Sequence, residues 1–314
     1  MKLLKYNKIA VLALVSITLF SCGSDDLPGE SQLDFTKPEK TVLDNWIDDV
    51  YLDPYNINVQ YKWNQNTVDN SRFLFPPEVD KVKPALEIVQ TIWLKSYATI
   101  GGPNFVKKIA PREIVLVGGV NLNSVGTRTL GLAEGGQRVT LFETDYIDKS
   151  DRANVSEFIH TIQHEYIHIL NQNKPFDEKT WKTLTPGGYT ADWYNYEIPE
   201  SNELGFITSY ARSNINEDFA ETASMILIYS KAEYAAFLAG IQSPFALQAL
   251  KAKEAIVVKY YKDAYNIDFY ALRDEAQKNT DAVINNVSYL SLYSNLIPHI
   301  PCNIVLGQNV VCDE

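Results

Sequence analysis

The sequence contains little histidine, little cysteine and no excess of positive charge. Its 314 residues include four histidines and three cysteines, and the formal net charge is -11. A nucleic-acid partner requires a basic surface that displaces counterions from phosphates, so the charge argues against one. After the N-terminal segment no apolar run approaches the ~20 residues of a membrane-spanning helix. The glycines form no G-x-G-x-x-G fingerprint, which argues against dinucleotide binding.

The remaining composition is that of a globular protein, with 46% hydrophobic and 21% charged residues. Period-two alternation predicts strands at 57–63 and 138–143, and a short apolar run closed by glycines predicts a strand at 112–119. A glycine-rich bend covers 126–137. Helical periodicity at 78–100 places Val82, Leu86, Val89, Trp93 and Tyr97 on one apolar stripe. Mostly helical patterns follow from 217 to about 285. Because strands come before helices, we predict an α+β fold. We expect a single domain over 41–314, containing the sheet in 41–150 and mainly helices in 151–314.

Three of the four histidines lie at 160, 164 and 168, one helical turn apart in "EFIHTIQHEYIHILNQN". At 100° per residue, the apolar side chains of this segment form the opposite stripe. That stripe comprises Val155, Phe158, Ile159, Ile162, Tyr166, Ile169 and Leu170. If the helix packs on its apolar side, the histidines face solvent or a cleft. Exposed helix faces usually carry Glu, Lys and Gln, so three imidazoles there indicate a function.

The pentapeptide "HEYIH" provides His164, Glu165 and His168 in an H-E-x-x-H pattern. Side chains at i and i+4 lie ~5–6 Å apart, a span that one zinc ion can bridge through two imidazoles. Glu165 would then lie beside the metal, where it can accept a proton from water. His160 is ~12 Å along the helix from His168, too far to share one ion with it, and we expect it at the cleft rim.

A catalytic zinc site keeps three protein ligands and one position for water, so a third ligand is needed. A metzincin would carry glycine and histidine where this chain has Asn171 and Lys174, which excludes that class. The best candidates are Glu217 and Glu221, spaced i, i+4 in a predicted helix over 209–229. One of them could bind the metal while the other orients a ligand. The alternative is that both lie on an ordinary solvated face.

The N-terminus consists of a basic stretch and an apolar stretch of signal-peptide length, which predicts a signal peptide over 1–21. Residues 22–40 are polar and predict a flexible tether. "LFSC" resembles the cleavage site of bacterial lipoproteins, which implies lipidation of Cys22 and lipid anchoring in a membrane; the alternative is an ordinary secretion signal. Asp25 and Asp26 resemble signals for surface export. In an oxidising compartment Cys302 and Cys312 would form a disulfide rather than a metal site.

"HEYIH" followed by "SYARSNINEDFAE" resembles the lethal-factor-like branch of the gluzincin metallopeptidases. The resemblance implies a zincin-like fold and a zinc cofactor. It makes Glu217 the third metal ligand, with Glu221 supporting the ligands from outside the metal shell. It also implies that the phenol of Tyr210 stabilises the oxyanion, while His164, His168 and Glu165 keep the roles given above.

The remaining sequence resembles zinc metallohydrolase lipoproteins associated with outer-membrane nutrient import, through "NWIDDVYLDPYNINVQYKW" and "GTRTLGLAEGGQRVTLFE". This resemblance implies a cell-surface peptidase with peptide or protein substrates and an import complex as partner. The zincin-like fold implied above would place "RVTLFE" at the edge of the sheet along the cleft. The long aromatic segment 174–208 is expected to form a cleft wall, with plain packing as the alternative. Two alternatives stay open. The chain could be a non-catalytic zinc lipoprotein that binds a nutrient, or its zinc site could hydrolyse another kind of bond.

Overall fold

The computed structural model of the chain describes residues 39–123 and 126–296, with side chains up to residue 285. From Val42 onward the described residues belong to one compact unit. None of the described helices is long and apolar enough to cross a membrane. Cys22, Cys302 and Cys312 lie outside the described residues, so the lipid anchor and the disulfide stay predictions.

A small mixed sheet occupies the first half of the described chain. Its strands are β1 (Asn58–Gln60), β2 (Glu113–Leu116), β5 (Gly131–Glu134) and β6 (Arg138–Leu141), while β3 (Asn121–Leu122) and β4 (Arg128–Thr129) pair separately. The spatial order is β1-β2-β6-β5, with β1, β2 and β6 parallel and β5 antiparallel to β6. The three strands predicted from the sequence are confirmed, each shorter than its pattern.

The predicted position of "RVTLFE" at the sheet edge is wrong, because β6 lies between β2 and β5. Val139, Thr140 and Leu141 are all buried, as expected for a strand covered on both faces. The edge strand beside the cleft is β5, which comes from the segment predicted as a bend. Gly135 and Gly136 turn the chain from β5 into β6 with φ of 58° and 67°, which suit glycine. The glycines of this segment weaken the alternation pattern, so the sequence did not indicate this hairpin.

The α-helices of the described residues before the histidine-bearing helix are α1 (Val42–Ile47), α2 (Asp53–Tyr55), α3 (Val79–Ile88), α4 (Lys95–Gly101) and α5 (Pro103–Ile109). A π-helical segment, Val89–Leu94, joins α3 to α4 and makes them one continuous rod. The helix predicted at 78–100 is thereby confirmed. Its predicted apolar stripe, consisting of Val82, Leu86, Val89, Trp93 and Tyr97, is almost completely buried.

The histidine-bearing helix is α6 (Arg152–Asn173), whose N-terminus is capped by Asp151. Its predicted apolar stripe is buried, and Tyr166 makes edge contacts with the rings of Trp93 and Tyr97 at 5.0 and 4.9 Å. The expectation that the opposite face opens to solvent or a cleft is only partly correct. His164 is just 6% exposed, because another helix covers this side of α6.

The C-terminal half is helical, as predicted: α7 (Glu178–Lys182), α8 (Ile198–Asn202), α9 (Ile215–Ile228), α10 (Lys231–Gly240), α11 (Pro244–Tyr265) and α12 (Phe269–Leu296). The helix that covers the histidine face is α9, which packs against α6 on one side and against α11 and α12 on the others. The observed combination of a small sheet with many helices confirms the predicted α+β fold.

Candidate metal centre

Three metal-ligating side chains converge where α6 meets α9. The Nε2 atom of His164 lies 3.0 Å from Nε2 of His168 and 2.9 Å from Oε2 of Glu217. The same carboxylate oxygen lies 3.1 Å from Nε2 of His168. Sequence spacing predicted the two histidines as a pair, and the tertiary structure brings the glutamate to both of them.

The position of Glu217 follows from the way α9 begins. The predicted helix over 209–229 is interrupted: a single 3-10 turn covers Tyr210–Arg212, and α9 starts only after Asn214. The Asn214 side chain accepts hydrogen bonds from the backbone N–H groups of Asn216 and Glu217, at 2.9 and 3.1 Å. An N-cap of this kind satisfies backbone donors that the first helical turn leaves free. It fixes Glu217 in the first turn, facing α6.

The geometry of these three donor atoms suits zinc. A tetrahedral ion with bonds of ~2.0–2.1 Å separates its ligand atoms by about 3.3 Å, close to the distances found here. Two imidazole nitrogens and one carboxylate oxygen are also typical ligands of a catalytic zinc ion. Burial would raise the pKa of Glu217, but hydrogen bonds with His164 and His168 outweigh it and hold the pKa below its ordinary value. The carboxylate is therefore kept in the ionised form that binds a metal.

Glu221, one turn after Glu217, contacts the other side of His164. Its Oε1 lies 2.8 Å from Nδ1 of His164 and 3.1 Å from Nε2 of His160. A carboxylate beside the second ring nitrogen of a metal-binding histidine fixes its tautomer and orientation. His160 is half-buried, contacts Glu221 and lines the cleft beside the metal centre. Its i, i+4 spacing from His164 was the available signal.

Thr208 is a further member of the site that no sequence pattern indicated. Its hydroxyl donates to Oε2 of Glu221 at 2.5 Å and accepts from the backbone N–H of Ala211 at 3.1 Å. Ala211 belongs to the same 3-10 turn as Tyr210. Thr208 thus connects the carboxylate that orients His164 to the turn that carries the tyrosine.

Glu165 lies beside the three converging atoms but outside the group that they form. Its side chain is 9% exposed and packs against β5, where a Cβ placed on Gly131 would lie 3.4 Å from Oε1. The pKa of Glu165 is raised by burial, against the opposing influence of His164 and His168. A carboxylate with a raised pKa next to a metal site is suited to accept and return a proton.

Tyr210 faces the same cleft. Its ring centroid lies 5.8 Å from that of His164 and 4.8 Å from that of Trp193, so the 174–208 segment does contribute to the cleft wall. Burial, assisted by the negative charges of Glu217 and Glu165, raises the pKa of Tyr210 well above its ordinary value. The phenol therefore keeps its proton and can donate a hydrogen bond.

The opposite side of α9 carries a different acid, Asp218. Its carboxylate accepts hydrogen bonds from Nζ of Lys253 at 2.9 Å, and from Trp181 and Tyr189 at 2.8 Å each. Lys253 also donates to the backbone oxygen of Gly205, and both charged side chains are fully buried. This network attaches the wall segment and α11 to the helix that carries Glu217.

Comparison with known proteins adds two findings. A family model described as "Putative zinc-binding metallo-peptidase" matches residues 36–270. The chain is also similar to a solved structure from Bacteroides caccae, described as a "putative zinc-binding metallo-peptidase". That similarity has 30% sequence identity and a TM-score of 0.64, and covers 77% of this chain and 92% of the other. No curated protein matches.

Proposed function

The chain belongs to the "Putative zinc-binding metallo-peptidase" family, and on this premise we propose that it hydrolyses peptide bonds at a zinc ion held by His164, His168 and Glu217. The convergence of these three donor atoms, 2.9–3.1 Å apart, carries the proposal. Two histidines from an H-E-x-x-H helix and one glutamate from a later helix are the ligand set of a gluzincin.

The side chains around the donors supply the remaining catalytic functions. Zinc at this position would acidify a water molecule and polarise the scissile carbonyl. Glu165 accepts the proton of the attacking water and later delivers it to the leaving amine. The phenol of Tyr210 donates a hydrogen bond to the oxygen on which negative charge develops. Glu221 keeps the His164 ring oriented through its Nδ1 atom.

The substrate backbone pairs with β5 in this proposal. β5 is an outer strand of the sheet and runs directly beside Glu165. A Cβ placed on Gly131 would lie 3.4 Å from Oε1 of Glu165, which supports the orientation of this side of the strand toward the catalytic groups. An extended peptide can add to such an edge by strand addition, which places its carbonyls in a fixed register.

The decisive experiment is digestion of a diverse peptide library by the purified protein, with and without a zinc chelator, followed by mass spectrometry. We expect chelator-sensitive cleavage that returns when zinc is restored. Loss of zinc binding in Glu217→Ala, with a smaller loss in Glu221→Ala, would support the assigned ligand. The reverse order would show that the two carboxylates have exchanged roles. Absence of any peptide cleavage by the zinc-loaded protein would contradict the proposed function.

The proposed location is the outer surface of the bacterial outer membrane, with the protein anchored through a lipid on Cys22. The support is the sequence of residues 1–26, whose signal-like stretch ends in "LFSC" before Asp25 and Asp26. Cys22→Ala should release the protein from the membrane fraction or leave it unprocessed. A variant of mature size that still fractionates with membranes would contradict the anchor.

The proposed disulfide between Cys302 and Cys312 can be tested on the exported protein. Alkylation of the denatured but unreduced chain should modify neither cysteine, and mass measurement would show free thiols directly. A mostly alkylated population would reject the disulfide.

A link to nutrient import is proposed from the family resemblance of the sequence, with an outer-membrane import complex as partner. If the protein were instead a non-catalytic zinc lipoprotein that binds a nutrient, Glu165 would have no role. A buried carboxylate beside the metal ligands is costly unless a function requires it. Products in the library digest distinguish the two, since a binding protein would yield none.

A further inference from the structure

Two pockets meet at the candidate metal centre, one on each side of the donor atoms. The first, of about 410 Å³, contains His160, Glu165 and Tyr210 in its lining. The second, of about 540 Å³, contains His168 and Glu217. Each falls within the ~300–1,000 Å³ typical of ligand-binding pockets. The cleft therefore offers binding space on both sides of the bond to be cleaved.

The outer strand β5 connects these pockets. Gly131 lines the first pocket and Ala133 the second, so two residues of one strand span the distance between them. Because a strand advances ~3.4 Å per residue, a peptide paired with β5 would extend from one pocket, past the donors, into the other. A chain bound in this way continues in both directions.

An enzyme that removes C-terminal residues needs a free cation for the substrate carboxylate. Among the described residues that line the two pockets, Arg128 is the one arginine or lysine. Its guanidinium donates to both oxygens of Glu143, at 2.5 and 2.8 Å, and to both oxygens of Glu157, at 3.2 and 3.0 Å. Two carboxylates already neutralise this cation, so it is not available for a third.

An enzyme that removes N-terminal residues needs a carboxylate that binds the substrate amine. Apart from the assigned ligand Glu217, the acid lining the second pocket is Glu178, in the first turn of α7. Glu178 is exposed to solvent. An exposed ion pair contributes little to binding because water and salt screen it. The acids lining the first pocket are Glu165 and Glu221, which are already assigned as the proton acceptor and as the partner of His164. Among their described lining residues, neither pocket thus contains a further strong receptor for a chain terminus.

We propose that this protein is an endopeptidase, which binds an extended internal segment of a peptide or unfolded protein along β5 and ignores the chain ends. This inference rests on the proposed peptidase function. It follows from the two-sided groove together with the neutralised state of Arg128.

The test uses one decapeptide that the zinc-loaded protein cleaves at any position, prepared in four forms. The ends are both free, acetylated at the N-terminus, amidated at the C-terminus, or blocked at both. We expect kcat/KM for the four forms to agree within about fivefold, the scale of a solvent-exposed ion pair. A decrease of about 30-fold or more on blocking one end, the scale of a lost buried charge pair, would overturn the proposal.

The outcomes distinguish failure of the endopeptidase inference from failure of the peptidase function. Cleavage confined to peptides with a free end would reject the endopeptidase inference and leave the peptidase function intact. No chelator-sensitive cleavage of any form would reject both.

The neutralised state of Arg128 can be tested by the double variant Glu143→Gln/Glu157→Gln. Releasing the guanidinium should make the enzyme prefer the peptide with a free C-terminus over its amidated form. The control is Asp281→Asn, which removes the acid paired with Arg152, outside both pockets. The control should show no such preference. If Glu143→Gln/Glu157→Gln behaves like the control, the neutralisation of Arg128 does not determine whether the enzyme cleaves internally or at a chain end.

Discussion

The acidic side chains on the two sides of α9 have different kinds of partners. On the inner side Asp218 is matched within the protein, by the Lys253 ammonium and by donors from Trp181 and Tyr189. On the side facing α6, Glu217 meets two imidazole nitrogens that lie 3.0 Å from each other. As metal ligands, imidazoles act in their neutral form and offer lone pairs.

This difference identifies which acid needs a ligand from outside the chain. A buried carboxylate requires a compensating charge and hydrogen bonds. The protein supplies both to Asp218, which indicates a structural role. In the proposed site, Glu217 would obtain this compensation from a cation bound jointly with the histidines. Residues 217 and 218 are neighbours in sequence, so only their orientation on the helix separates the two roles.

The largest expected effect is a loss of activity in Glu165→Gln, at the side of α9 that faces α6. The amide cannot accept the proton from water, so activity should fall by ~10²–10⁴-fold. Zinc content should stay near one per chain, because Glu165 is not a ligand in the proposed site. Activity assays and metal analysis on the same sample provide the measurement. Unchanged hydrolysis would refute the catalytic mechanism.

Substitutions on the inner side of α9 should change the stability of the protein rather than its catalysis. Lys253→Met leaves Asp218 buried without its countercharge, which should lower the free energy of unfolding by about 3–5 kcal/mol. Chemical denaturation measures this loss, and the folded variant should still bind zinc. Adding Asp218→Asn removes the unpaired charge and should recover part of the stability. A loss of zinc affinity without a loss of stability would break the distinction between the two sides.

Tyr210→Phe tests the hydrogen bond to the developing oxyanion. Removing one such donor should reduce kcat by about 10²-fold, with zinc affinity and stability unchanged. The phenylalanine preserves the ring contacts with His164 and Trp193. A kcat equal to that of the parent would assign Tyr210 to cleft packing alone.

The smallest effect concerns Thr208, which connects Glu221 to the turn containing Tyr210. Thr208→Val keeps the shape but removes the hydroxyl, and should weaken zinc affinity or kcat by about tenfold, the lower end expected for outer partners of a metal site. Thr208→Ser should restore most of the loss. If serine does not rescue the valine defect, the effect comes from packing.

Several parts of this protein were predictable because they depend on local periodicity. The apolar stripes of α6 and of the helix at 78–100 follow from 3.6-residue spacing, and both are buried as predicted. The strand β5 was missed because its glycines weaken the alternation pattern while serving the turn into β6. The exposure of the histidine face was overestimated, since no pattern within α6 reveals that α9 covers it.

The sequence alone determined the chemistry available: His164 and His168 at i, i+4 with Glu165 between them, because helix geometry fixes which neighbours share a face. It also supplied Glu217 and Glu221 as candidate partners from a second helix. Tertiary packing decided that Glu217 reaches the two Nε2 atoms, that Glu221 reaches Nδ1 of His164, and that β5 lies beside Glu165. These are contacts between distant segments, and their distances depend on how whole helices and strands pack against one another.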